Sequence, residues 1–280
     1  MRHLHHIAPA VVLASLLAAC AMDKPQAGAA GAAPQEVVVR ARDFQFFEAP
    51  DTIASGLTTF RLINEGPDFH HVYLVRLEAG HTVKDLLDHL FAGGQPPAWA
   101  VDVGGPNSPM PGEEAAATVD LEPGDYAMIC VIPARDGQPH VMKGMVRPLT
   151  VVAGGGAPAA APEADIVMTL DDYSFEIRPA ITPGKHTIRI ENVAAQSHEV
   201  AIVKLEPGKT GEDFLRFLEK PEGMPPGKVI GGVTALARGR ASLVTLDFTP
   251  GDYLLVCFLP DSKDGRPHVV HGMVEQIRVG

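Results

Sequence analysis

The strongest constraint on this chain is that it is written twice. TTFRLINEG at 58–66 returns as HTIRIENVA at 186–194, and HVYLVRLEAG at 71–80 as EVAIVKLEPG at 199–208. LEPGDYAMIC at 121–130 returns as FTPGDYLLVC at 248–257. Within this repeat, His70, His140 and Met145 recur 128 positions later as His198, His268 and Met273, and Cys130 recurs 127 positions later as Cys257. Self-similarity at one fixed offset predicts two copies of one folding unit. Each copy is of ordinary domain size and can bury its own core.

Each copy reads as short runs rich in Val, Ile, Leu and Thr, separated by turn residues. The turns are Glu65-Gly66-Pro67 and Pro123-Gly124-Asp125 in the first copy, and Pro183-Gly184 and Pro250-Gly251-Asp252 in the second. Such spacing predicts an all-β fold, a β-sandwich in each copy. One interval departs from it. Val83, Leu86, Leu87, Leu90 and Phe91 make a helical stripe, opened by the N-cap pair Thr82 and Asp85 and stopped by Gly93 and Gly94. Thr210, Asp213, Phe214, Leu215 and Leu218 repeat the plan before Pro221. This inserted helix is scaffold. Residues 153–164 (AGGGAPAAAPEA) read as a linker, which divides the folded chain into domains at 36–152 and 165–280.

Residues 1–19 carry Arg2 and then an apolar run from Ile7 to Ala19, too short for a membrane span and typical of an export signal. The run ends Leu17-Ala18-Ala19-Cys20, which resembles a bacterial lipobox. That resemblance implies a lipid on Cys20, a flexible tether over 20–35, and a place in the bacterial cell envelope. Ala21, where an Asp would signal inner-membrane retention, favours the periplasmic face of the outer membrane. Removing residues 1–19 takes away Arg2 and no acid, so the formal net charge of −11 becomes −12. A chain this acidic repels phosphates and is no nucleic-acid binder. It suits a basic soluble partner.

After Cys20 only Cys130 and Cys257 remain, one per copy, so no disulfide forms within a copy. A thiol in an oxidising envelope is either buried and inert or bound to metal. One Cys, two His and one Met make the ligand set of a type-1 copper site: thiolate and imidazoles in a trigonal array with a weak axial thioether.

The order of these residues resembles the cupredoxin family, which includes plastocyanin and azurin. There, one His precedes a central strand, and Cys, His and Met follow near the C-terminus. Here His70 precedes VYLVRL and His198 precedes VAIVKL; Cys130 closes YAMIC and Cys257 closes YLLVC. His140-x4-Met145 and His268-x4-Met273 share that family's spacing, including Gly before Met. The resemblance implies two tandem Greek-key β-sandwiches. It implies copper on His70, Cys130, His140 and Met145 and on His198, Cys257, His268 and Met273, one ion per domain or in one domain only. The departure is the Cys-to-His interval, nine residues in the first copy and ten in the second, against two to four in the family. Extending a loop from two to nine residues costs only about 1.2 kcal/mol, and its Asp-Gly pair predicts a turn that folds it back. His71 is an alternative to His70, although the repeat alignment favours His70. His271 reads as a surface or entry residue. His81, His89 and His186 read as solvated.

These readings lead to an envelope lipoprotein that transfers single electrons, with the edges of His140 and His268 exposed as electron ports. The alternatives are copper buffering or delivery, and a metal-free binding or structural protein. An enzyme is not expected, because multicopper oxidases and copper nitrite reductases carry additional His-x-His or His-Cys-His patterns that are missing after residue 20.

Overall fold

The computed structural model describes Met1 and residues 32–42, 44–93, 96–155, 158–220 and 222–280. The expected signal peptide beyond Met1, Cys20 and the tether up to residue 31 lie outside these residues. Residues 31–280 form one compact unit. Among the described residues, no helix is long and apolar enough to cross a membrane.

The first half supplies β1 (Gln35–Arg42), β2 (Gln45–Phe47), β3 (Thr52–Ala54), β4 (Gly56–Asn64), β5 (Tyr73–Leu77), α1 (Val83–Phe91), β6 (Ala100–Gly104), β7 (Glu114–Leu121), β8 (Gly124–Ile129) and β9 (Val146–Val152). The second supplies β10 (Ile166–Asp171), β11 (Ser174–Arg178), β12 (Gly184–Asn192), β13 (His198–Leu205), α2 (Gly211–Glu219), β14 (Gly227–Leu236), β15 (Ala241–Phe248), β16 (Gly251–Val256) and β17 (Val274–Val279). The all-β expectation holds, with one α-helix per half among the described residues.

Strand alternation explains the layers. Val37, Val39 and Ala41 of β1 point inward while their neighbours do not, as a pleated strand with one buried face requires. Their apolar faces build one core around Phe60, Leu62, Tyr126 and Met128, and a second around Ile188, Ile190, Phe248 and Tyr253. The repeated Pro-Gly-Asp-Tyr turn acquires a reason here. Tyr126 and Tyr253 are fully buried, and their hydroxyls donate to Glu122 O and Thr249 O, each at 2.8 Å. Each tyrosine pins its own turn from inside the core.

Two sheets run through both halves. One has the order β11-β10-β12-β15-β7-β4-β1-β2, the other β17-β16-β13-β14-β6-β5-β8-β9-β3. Equivalent strands meet at the seam: β7 pairs with β15 and β6 with β14, both antiparallel. Beside the seam, one glycine in each half lets that half's own backbone pack closely. A Cβ on Gly105 would lie 2.1 Å from Val72 O, and one on its repeat partner Gly232 would lie 2.0 Å from Val200 O. The seam is also tied by Asn107 Nδ2, which donates to Val200 O at 3.2 Å, and by Ser242 Oγ, which donates to Thr118 O at 2.9 Å.

Both helices begin in a reciprocal capping box, Thr82 with Asp85 and Thr210 with Asp213, as the sequence predicts. α1 lays Leu86 on a cluster containing Val75, Ala100 and Ile129, and α2 lays Phe214 on Ala201, Val203 and Leu254.

Candidate metal centres

Each half brings one thiol and two imidazoles together at the end of its sandwich. His70, Cys130 and His140 have ligand atoms within 4.8 Å of one another, and so do His198, Cys257 and His268. All six are buried. His140 Nδ1 lies 3.5 Å from Cys130 Sγ, and His268 Nδ1 lies 3.3 Å from Cys257 Sγ. Atoms that share one ion at about 2.0–2.3 Å lie roughly 3–4 Å apart, so these clusters have the size of a metal site.

The long Cys-to-His intervals do not separate the ligands, because each folds back on itself as a hairpin. In the first, Pro133 bridges Pro139, Ala134 N donates to Gln138 O and Gly137 N donates to Ala134 O, each of these two bonds at 2.8 Å. In the second, Pro260 bridges Pro267, and Asp261 N donates to Arg266 O at 2.8 Å. The Asp-Gly pair makes the predicted turn, with Gln138 N on Asp136 Oδ1 and Arg266 N on Asp264 Oδ1. The inserted residues project as a finger, and its base returns the histidine to the cysteine. Val141 N donates to Cys130 O at 2.7 Å and Val269 N to Cys257 O at 2.9 Å.

One turn then carries each chain to methionine. His140–Lys143 and His268–His271 form single 3-10 turns capped by Gly144 and Gly272 at φ 97° and 101°, a left-handed conformation that favours glycine. Met145 N donates to His140 O and Met273 N to His268 O, each at 3.0 Å. Met145 and Met273 are fully buried in the same apolar clusters as Cys130 and Cys257.

The environment holds His140, His198 and His268 neutral and surrounds the sulfurs with donors. Desolvation lowers His140 and His198, and it takes His268, with the help of nearby His198, down to about 4. A neutral imidazole is the form that binds metal. Burial pushes the Cys130 thiol up to about 12 and raises Cys257 likewise; a metal ion would reverse this by binding the thiolate. Backbone amides already point at both sulfurs, from His71 and Ile132 in the first half and from Glu199 and Leu259 in the second. His140 Nε2, His198 Nδ1 and His268 Nε2 are buried without a hydrogen-bond partner among the described residues. A buried imidazole nitrogen with no partner is costly, and a metal ion at His198 Nδ1 would remove that cost. The donor set therefore fits copper.

One expectation about access is corrected. The edges of His140 and His268 are not exposed: both residues are fully buried. Phe44 packs edge-on against His140 at 4.7 Å, and Tyr173 against His268 at 5.7 Å. Both aromatic residues sit in left-handed turns, at φ 65° and 64°. What is exposed beside each centre is Met142 or Val270 from the 3-10 turn.

Three features were not recognised in the sequence. Asn64 and Asn192, both fully buried, organise the loops that deliver His70 and His198. Asn64 Oδ1 accepts from Gly66 N while its Nδ2 donates to Asp68 O; Asn192 does the same with Ala194 N and Gln196 O. Their equivalence inside the repeated segments was the available signal. Asp172 accepts a hydrogen bond from His198 Nε2 at 3.1 Å and so orients that ring. Asp261 lies with Asp264 and His271 in a third group beside the second centre; His271 Nε2 is 3.1 Å from Asp264. Of the remaining histidines, His81 stacks on Trp99 at 4.1 Å, and His186 is hydrogen-bonded to Asp165 rather than merely solvated.

Strand order and the two His-Cys-His clusters define a cupredoxin-like fold with two candidate copper centres. No protein-family model matches the sequence, and no curated protein matches it. Among solved structures, the chain is similar to a reduced auracyanin from Roseiflexus castenholzii, at 19% identity and TM-score 0.31 over 43% of this chain and 98% of that one. It is similar to a copper-containing nitrite reductase from Thermus scotoductus, at 13% identity and TM-score 0.26 over 89% of this chain and 62% of that one. It is also similar to a blue copper oxidase from Nitrosomonas europaea, at 15% identity and TM-score 0.27 over 88% and 86%. The last two correct the exclusion of an enzyme drawn from the missing His-x-His pattern. Both of those proteins are enzymes, against that expectation.

Proposed function

We propose that this protein binds one copper ion in each half and transfers single electrons, with residues 36–152 and 165–280 as its two domains. The observation that carries the reading is the convergence, in both halves, of a buried thiol and two buried imidazoles within 4.8 Å. Bound copper would supply a Cu(I)/Cu(II) couple. The protein's part is to hold His70, Cys130 and His140, and their counterparts His198, Cys257 and His268, in place before metal arrives. Hairpin fingers, buried asparagines and backbone amides aimed at sulfur do this, and a site already in place needs little rearrangement between oxidation states. Met145 and Met273 would add a weak thioether ligand to each set. Residues 1–20 support export and lipid attachment at Cys20, which would place the copper centres on the periplasmic face of the outer membrane. The acidic surface suits a basic redox partner.

Metal analysis tests the reading on residues 21–280, which retain the whole compact unit. Two copper ions per chain should bind, one after either Cys130→Ser or Cys257→Ser, and each should cycle reversibly by voltammetry. Copper that binds without a reversible couple would support buffering or delivery instead. No stoichiometric copper would sink both readings.

A further inference from the structure

The two helix-covered faces do not close on each other. Between them lies a cavity of about 1140 Å³, walled by both halves. Leu86 and Leu90 of α1 and Phe214 and Phe217 of α2 line it, together with parts of both Cys-to-His fingers. Protein interiors hold few voids larger than a water molecule, and this one slightly exceeds the roughly 300–1,000 Å³ typical of ligand sites.

Polar groups converge inside it: His71, Tyr73, Asp102 and Glu199. Tyr73 donates to Asp102 at 2.5 Å. His71 and Glu199 occupy equivalent places in the two halves. Each follows the first histidine of its cluster, and each accepts a hydrogen bond from the amide that follows the cysteine. Val131 N donates to His71 Nε2 at 3.0 Å, and Phe258 N donates to Glu199 Oε1 at 3.1 Å. The backbone bond can therefore be made by a neutral imidazole. In the second half a carboxyl group makes it, although burying a carboxylate is expensive. That carboxyl group lines the cavity. Among the described residues the lining has Asp68, Asp102, Glu199 and Glu219 against a single Arg135, a balance that disfavours anions.

We propose that this cavity binds a small aromatic molecule without negative charge, its ring among the phenylalanines and a hydrogen-bond donor on Glu199. The carboxyl can accept more than the one bond that Phe258 gives it. The aromatic and aliphatic walls supply the affinity and the carboxyl supplies the orientation.

The test uses metal-free residues 21–280 and two fluorescent probes: N-phenyl-1-naphthylamine, which has one N–H, and 1-phenylnaphthalene, which has none. The proposal expects saturable binding of one N-phenyl-1-naphthylamine per chain, about tenfold tighter than that of 1-phenylnaphthalene. Glu199→Leu should erase the preference between the probes, and Ala201→Trp, which fills the cavity, should weaken both by tenfold or more. Absence of saturable binding, or a preference that survives Glu199→Leu, would overturn it. Should Ala201→Trp fail to fold, the Glu199→Leu comparison still decides. Because metal is absent throughout, this result and the copper result stand or fall separately.

Discussion

Asp261 sits where the first half has Ala134, and it places a buried carboxylate 3.8 Å from His268 Nε2. Hydrogen bonds from the Tyr173 hydroxyl and the Lys263 amide hold it well below the usual carboxylate range. The equivalent surroundings of His140 are Phe44 and Lys143, the latter paired with Asp136. A fixed negative charge favours Cu(II) over Cu(I), so the second centre should have the lower potential. Asp261→Asn should raise that potential by about 59 mV for each tenfold change in the affinity ratio, measured by spectroelectrochemistry in a Cys130→Ser background. An unchanged potential would show that the carboxylate is electrically remote.

The buried histidines also determine how metal-free stability varies with pH. Burial takes His71 down to about 3, and His268 lies at about 4, against about 6.5 unfolded. Below 6.5 the unfolded chain takes up protons that the native state refuses, so stability falls as pH drops toward 4. Glu199, raised to about 7 by burial, acts in the opposite direction: its contribution is complete below about 4.5 and is lost as pH rises through 7. The histidines outnumber it. The melting temperature of the metal-free protein should therefore decline from pH 7 to pH 4, and more steeply in Glu199→Gln. A flat profile would contradict this assignment of protonation states.

At the scale of elements, local signals were readable and tertiary ones were not. The capping boxes of α1 and α2 are written in four consecutive residues, Thr82 to Asp85 and Thr210 to Asp213. Thr82→Ala or Thr210→Ala should cost about 1 kcal/mol by chemical denaturation; no loss would mean that packing alone holds the helix. The Asp-Gly turn of each finger was likewise visible, because a turn is made by its own residues. The roles of Asn64, Asn192, Gly105 and Gly232 were hidden for the opposite reason. Each acts on a backbone that is distant in sequence or belongs to another strand, as when Asn64 Nδ2 reaches Pro109 O and Gly232 clears Val200 O. The ligand set was legible as residue order. The burial of His140 and His268 was not, since Phe44 and Tyr173 reach them from the other end of their halves.

Across the whole molecule, the repeat predicts two domains, and the structure joins them through both sheets. β7 pairs with β15, and β6 with β14, over a short stretch of each edge, so both sheets continue across the seam. Residues 31–280 should therefore unfold in one calorimetric transition whose van't Hoff and calorimetric enthalpies agree; two resolved transitions would show that the seam is weak. The same joining surrounds the cavity and brings His71 and Glu199 of opposite halves to its walls.

The central claim is that two buried thiol-imidazole clusters are copper sites, and the visible spectrum of residues 21–280 loaded with Cu(II) tests it most directly. The account predicts strong thiolate-to-copper absorption, reduced by either Cys130→Ser or Cys257→Ser and abolished by the two together. A colourless protein, or colour that survives the double substitution, would contradict it.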